Sequence, residues 1–137
     1  MFTTGTTTKP GSLKLLRLAI TLQTLSVFAT PVTAGLLLTT PSGHVLHSGS
    51  SYTLFFVTLF HLIAAILAWR PGGGSATPVA AAAGFFALTL AQVFIGIAHL
   101  TTVHVPLGVL LFGLSVLQLA WVWNLRRADR IREGKPA

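Results

Sequence analysis

The sequence predicts an all-α integral membrane protein: a four-helix bundle of two parallel-repeat helical hairpins, with both termini cytoplasmic. Three observations predict it. Of 137 residues, 53% are hydrophobic and 8% charged, with a mean hydropathy of +0.79; a water-soluble domain carries roughly 25% charged residues. Arg70 is the sole formal charge between Arg17 and Arg126, so most of the surface must face lipid rather than water. The apolar residues fall into four runs, each close to the ~20 residues that carry a helix across a bilayer. Open strands cannot span lipid, because their backbone groups would go unpaired there.

Residues 1–12 are polar and rich in Thr and Gly, and read as a disordered N-terminus ahead of a bundle over 13–125. The first helix is expected over about 15–38, interrupted by Pro31. The second covers about 51–69 and is stopped by Arg70-Pro71-Gly72-Gly73-Gly74. The third starts near Pro78, a residue suited to a first helical turn, and runs to about 100. The fourth covers about 103–123, with Pro106 in its first turn. A basic cytoplasmic tail over 126–137 follows, with Arg126, Arg127, Arg130, Arg132 and Lys135, and with both acids of the chain, Asp129 and Glu133. Such a cluster beside a membrane sets topology and touches anionic lipid.

The loops give the orientation. Segments 39–50 and 100–103 carry no Lys or Arg, whereas the N-terminus, the 70–77 turn and the tail all do. The positive-inside rule therefore puts both termini and Arg70 in the cytoplasm, across a plasma (inner) membrane, with Trp69, Trp121 and Trp123 at an inner aromatic belt. An alternative takes the stretch from Lys14 to Ala34 as a signal peptide cleaved after Ala34, which leaves three helices of unchanged sidedness. The net charge of +7 and pI near 11.7 belong to these membrane-flanking positions, so the partner they indicate is a lipid bilayer and not nucleic acid. A homodimer, or a membrane partner protein, is the protein contact such a chain would make.

A repeat runs through the chain. Shifted by 57 residues, helix 2 lies on helix 4: His47 meets His104, Ser51 meets Gly108, Leu54 and Phe55 meet Leu111 and Phe112, and Arg70 meets Arg127. Helices 1 and 3 share Leu-Thr-Leu-Gln-like stretches, with Gln23 and Gln92 in comparable places. Two hairpins running the same way imply a pseudo-twofold axis along the membrane normal. At about 1.5 Å per residue, His47 and His104 each stand roughly 33 Å above the arginine that follows, at matching heights near the outer surface.

Composition narrows the chemistry. No cysteine is present, which removes disulfides, iron–sulfur clusters and thiolate zinc sites. No carboxylate lies inside the membrane segments, so proton-coupled export and Ser-His-Asp catalysis lack their parts. What remains is histidine: His44, His47, His61, His99 and His104. Neutral imidazole is the usual axial ligand of haem iron, and helical bundles build such sites from facing helices. His47 and His104 match in height, and equally suit two interfacial histidines wetted from one side. His61 lies deeper, about 15 Å below the expected start of helix 2. It reads either as a ligand or as a side chain bonded across helices to Gln23, Gln92 or a Thr hydroxyl. His99 can meet His104 only across the short turn, and His44 faces solvent.

The stretch from Gln92 to Trp121, with His104 followed by Gly108 and an apolar helix, resembles the fourth helix of one half of the haem A synthase family. Helix 2, with a histidine ahead of an Ala- and Leu-rich run ending in Arg70, resembles the second. The layout is also similar to small uncharacterised four-helix bacterial membrane proteins with a histidine opening helices 2 and 4. The resemblance covers about residues 15–125. It implies haem held near the outer face by a histidine on each of helices 2 and 4. Carried over by position, His104 is the match on helix 4; its partner is His47 by height, or His61 by its Phe-His-Leu-Ile-Ala-Ala context. The chain departs from that family in having one half only, no cysteine pair in the first outer loop and no acid near helix 2. The expectation is a b-type haem, with iron held by His47 and His104, serving electron transfer. The alternative is a non-catalytic accessory or scaffold subunit of a membrane complex; a small-molecule exporter ranks below both.

Overall fold

A computed structural model describes the backbone of residues 8–132 and the side chains of residues 8–124. It contains four helices, α1 Pro10–Leu36, α2 Gly43–Trp69, α3 Thr77–Ile97 and α4 Thr101–Arg132, and no strand among the described residues. All four are long and apolar enough to cross a membrane, α4 by its segment Thr101–Asn124. They form a ring in which α1 touches α2 and α4, and α3 touches the same two; the backbones of the diagonal pairs α1/α3 and α2/α4 stay apart. The chain is a multi-pass membrane bundle with the start of α1, the α2–α3 turn and the C-terminal part of α4 at one end, called the inner end after the orientation the loops predict, and the α1–α2 and α3–α4 turns at the other, the outer end. The Lys9 amide donates to the Gly72 carbonyl at 2.8 Å. Arg17 Nε donates to the Val122 carbonyl at 3.3 Å, and its guanidinium lies 5.8 Å from the Trp123 ring centre.

Several expected boundaries move, each for a physical reason. Helix α1 begins at Pro10, so residues 10–12 are helical rather than disordered. Pro needs no amide partner in a first turn, and the bond from Lys9 fixes the entry. Residues 1–7 and 133–137 of the two expected tails lie outside the described residues, as do the side chains of Arg126, Arg127, Asp129, Arg130 and Arg132. Helix α4 runs on to Arg132 instead of ending near 123. It starts at Thr101, which moves Pro106 from the first turn into the second. Helix α3 stops at Ile97, and His99 takes a left-handed φ of 56° in the turn to α4.

Pro31 does not interrupt α1. A proline leaves the carbonyl four residues back without its amide, here that of Val27. The Thr30 hydroxyl donates to it at 2.8 Å, and a satisfied carbonyl lets the helix continue through lipid. Helix α2 starts at Gly43, eight residues before the expected boundary, because its first turns are polar but still helical. Ser50 and Ser51 fold their hydroxyls back onto the His47 carbonyl, both at 2.9 Å. Gly43 permits the tight α1–α2 turn: a Cβ there would overlap the Leu36 carbonyl and the Leu37 amide. His44 and His47 are therefore helical residues, and His61 lies 18 residues into α2 rather than ten.

The interior has two apolar clusters. Leu16, Ile20, Ala65, Ala68, Ala82 and Val122 fill the inner end. Val27, Leu54, Phe85 and Leu111 fill the middle. Thr89, one turn outward of Phe85 on α3, is fully buried, and between it and the outer turns no further side chain of α3 is. The 57-residue shift is realised in three dimensions. Leu54 and Leu111 share one cluster, Ala65 and Val122 the other. Thr58 and Ser115, both buried, donate to Phe55 and Phe112 carbonyls. The expected equivalence of Gln23 and Gln92 is not realised: Gln23 is wholly buried in the body of the bundle, while Gln92 bonds to His104 near the outer end. The buried sets Leu16, Ala19, Gln23 and Ala82, Phe85, Thr89 have the same spacing, which matches Gln23 with Thr89.

Candidate functional site

At the outer end His47 of α2 and His104 of α4 meet across the diagonal, their ring centres 6.5 Å apart and their planes at 79°. Each stands seven residues, about 10 Å, above its counterpart in the middle cluster, Leu54 and Leu111. Both rings are half-buried. His104 is held tightly. Its Nδ1 lies 3.1 Å from the Gln92 carbonyl, and the Gln92 amide returns a 2.8 Å bond to the His104 carbonyl. A carbonyl only accepts, so Nδ1 carries the proton and Nε2 keeps its lone pair. Gly96 lies against this ring: a Cβ there would approach His104 Cε1 to 2.9 Å. Gly108 leaves room for the Gln92 amide, whose nitrogen would sit 3.1 Å from a Cβ there. Gln92 Oε1 is buried with no hydrogen-bond partner among the described residues.

His47 is held through a relay. Its Nδ1 is 3.4 Å from Thr33 Oγ1, and that hydroxyl also lies 2.9 Å from the Thr30 carbonyl. Ser50 Oγ lies 2.7 Å from the same hydroxyl. Both histidines thus have Nδ1 engaged by the protein, and in His104, where Nδ1 carries the proton, Nε2 keeps the lone pair with which imidazole ligates a metal.

The spacing tests which metal group these residues fit. Two collinear metal–nitrogen bonds of about 2.0–2.1 Å, extended from each Nε2 to its ring centre, ask for centres about 6.3 Å apart; a tetrahedral angle would draw them in to about 5 Å. The observed 6.5 Å and 79° are those of an edge contact between two rings, and a metal held by both would need that separation with each Nε2 turned to the other. No group of three or more His, Cys, Asp or Glu stands ready for a metal among the described residues, so two imidazoles suit a metal whose remaining ligands come with it, as in haem.

The other histidines are elsewhere. His44 and His99 are exposed. His61, 2% exposed, bonds through Nδ1 to Gln23 Oε1 at 2.6 Å. The Gln23 amide donates to Gln118 Oε1 at 2.9 Å, and the Gln118 amide to the Ala81 carbonyl at 3.3 Å. The chain links all four helices. Its direction is fixed from the far end, since the Ala81 carbonyl must accept, and His61 Nδ1 must therefore donate. His61 lies fourteen residues, about 21 Å, down α2 from His47, so the structure brings His47 and His104 together and leaves His61 with Gln23. Thr33, Ser50, Gly96 and the part played by Gln92 were missed from sequence; the Gln92, Gly96, His104, Gly108 spacing across the short α3–α4 turn was the available signal. Comparison with protein-family models, curated proteins and solved structures found no match.

Proposed function

We propose that this small integral membrane protein holds a b-type haem near its outer face and serves electron transfer. The observation that carries the reading is the 6.5 Å separation of His47 and His104 on diagonal helices, with each Nδ1 tied to the protein. Haem bound between them would supply a reversible one-electron centre. The chain's own residues do the rest. Gln92 and Thr33 orient the two rings, Gly96 gives the His104 ring its place, and α1 and α3 flank the gap. The four candidate spans contain no acid, and Lys14 and Arg17 stand at the inner end of α1, away from the two rings. The test is an absorption spectrum of detergent-purified protein from a haem-replete host, oxidised and then reduced with dithionite. The expected result is a Soret band with sharp reduced α and β bands, lost in His104→Ala; a featureless spectrum at good yield overturns the proposal.

One observation favours the second reading, an accessory subunit. Ala80, Ala83, Gly84 and Ala87 line one exposed face of α3, and nothing lies within 4 Å of a Cβ at Gly84. Small residues of this spacing let another membrane helix approach closely. Crosslinking from cysteines introduced at Ala83 and Ala87 would capture such a helix.

A further inference from the structure

Between Arg17 and Leu36, α1 carries five hydroxyls, and one of them is unlike the rest. Those of Thr21, Thr24, Thr30 and Thr33 each lie 2.8–3.0 Å from a carbonyl of the preceding turn. The Ser26 hydroxyl has no hydrogen-bond partner among the described residues. Its depth makes that costly. Ser26 stands ten residues, about 15 Å, inward of Leu36 and nine residues, about 14 Å, outward of Arg17, near the middle of the ~30 Å hydrocarbon layer, where an unpaired polar group is disfavoured.

Ser26 opens into a shallow groove of about 320 Å³ between α1 and α2, lined also by Leu22, Leu25, Ala29, Ser50 and Thr53. Leu22, Leu25, Ala29 and Thr53 are exposed, so the groove faces lipid. The internal repeat shows how this hairpin comes to have it. The register that matches Gln23 with Thr89 also matches Ser26 with Gln92 and Ala29 with Ile95, and the 57-residue shift matches Ser50 with Leu107 and Thr53 with Leu110. Four small residues on the first hairpin thus stand where the second carries four larger ones. In the second hairpin the Gln92 amide bonds to the His104 carbonyl at 2.8 Å. In the first, the matching His47 carbonyl takes the Ser50 and Ser51 hydroxyls instead, and Ser26 is left with a proton to give.

The groove therefore suits a molecule that dissolves in the hydrocarbon layer, is largely apolar and carries an acceptor at mid-depth. A phospholipid keeps its ester carbonyls at the edge of that layer, and its acyl chains have no acceptor. A quinone has both parts, a flat apolar ring and carbonyl oxygens, which only accept. We propose that the α1–α2 groove binds a membrane-dissolved quinone, with Ser26 Oγ donating to a ring carbonyl and Leu22, Leu25 and Ala29 against the ring. Binding stands on the groove alone; only the use of the bound ring as an electron carrier rests on the electron-transfer reading. Ser50 joins the groove to that end of the bundle, since its Oγ is 2.7 Å from Thr33 Oγ1, itself 3.4 Å from His47 Nδ1.

The full chain in lipid nanodiscs, prepared free of metal, tests this with decylubiquinone as the probe. In ¹³C-methyl spectra the Leu22, Leu25 and Ala29 signals should shift along one saturable curve, while those of Ala83 and Ala87 on α3 stay in place. Ser26→Ala should weaken binding about fivefold, the worth of one hydrogen bond, and Ser26→Thr should restore it. Ala29→Leu, at an exposed position, gives the first hairpin the bulk of Ile95 and should abolish saturation with the circular dichroism unchanged. The proposal is overturned if the parent shows no saturable shift, or if either Ser26→Ala or Ala29→Leu binds as the parent does. Equal shifts from dodecane, which has no ring or carbonyl, mean that the groove takes acyl chains and overturn it as well. The two readings fail separately: a chain that saturates with decylubiquinone but gives no Soret band keeps the groove and loses the haem, and the opposite pair of results does the reverse.

Discussion

The outer histidine pair and the deeper His61–Gln23–Gln118 chain are two answers to one problem, polar side chains inside a membrane bundle. In the deeper chain each donor named has an acceptor and the run ends on the Ala81 carbonyl. The outer pair is tied only within each hairpin, His47 to Thr33 and His104 to Gln92, and leaves a buried Gln92 oxygen without a partner among the described residues. A chain closed in this way stabilises the fold, because any loss leaves a buried group unpaired. The outer cluster stops short of closing, and it is there that the proposed function places a ligand. The same residue type therefore sits in two different hydrogen-bond settings about 21 Å apart, fourteen helical residues.

Substitutions can break that contrast in order of size. The largest effect is expected from His104→Ala, which should abolish the reduced α band, a loss of at least ~100-fold in haem affinity, while leaving the thermal midpoint of the metal-free bundle in detergent unmoved. Gln23→Leu should do the reverse. It strands His61 Nδ1 and Gln118 Oε1, each at about 1–3 kcal/mol, so unfolding followed by circular dichroism should register a loss of about 2–4 kcal/mol. If Gln23→Leu unfolds no more easily than the parent, the deeper chain is not what holds the helices together. Gly96→Ala should displace the His104 ring and broaden its NMR signals, with stability changed by less than about 1 kcal/mol. Thr30→Val should cost about 1 kcal/mol through the Val27 carbonyl, and that cost should shrink in a Pro31→Ala background, where an amide replaces the lost donor. The smallest effect is Gly84→Ala, on an open face, expected to stabilise by about 0.5–1 kcal/mol through helix propensity; destabilisation of an assembled form would instead mark that face as an interface.

Much of this was legible in the chain. One charge between Arg17 and Arg126 forces a membrane bundle, and counting residues from Arg70 and Arg127 puts His47 and His104 at one height. The 57-residue shift anticipated which residues of α2 and α4 share a cluster. Hydropathy could not find the start of α2, because Gly43 to Ser51 is polar enough to read as loop while its serines close their bonds locally. Nor could it choose the partner of His61 among Gln23, Gln92 and the threonines. That choice depends on rotation about each helix axis, where one position changes the facing side chain by about 100°. Pro31 read as a break for a related reason: the compensation comes from the Thr30 hydroxyl, a single bond that periodicity does not register.

The ring of helices has a mechanical consequence. Helices α2 and α4 stand diagonally without backbone contact, are pinned to their neighbours low down by small residues and the glutamine chain, and carry no buried side chain at their outer ends. That is the construction of tongs, joined at the inner end, whose two tips, each tied to the other helix of its own hairpin, carry His47 and His104. Whatever the tips grip is felt as a change in splay between the hairpins, and whatever leans on the outer loops, a neighbouring helix or a thinner bilayer, alters the grip.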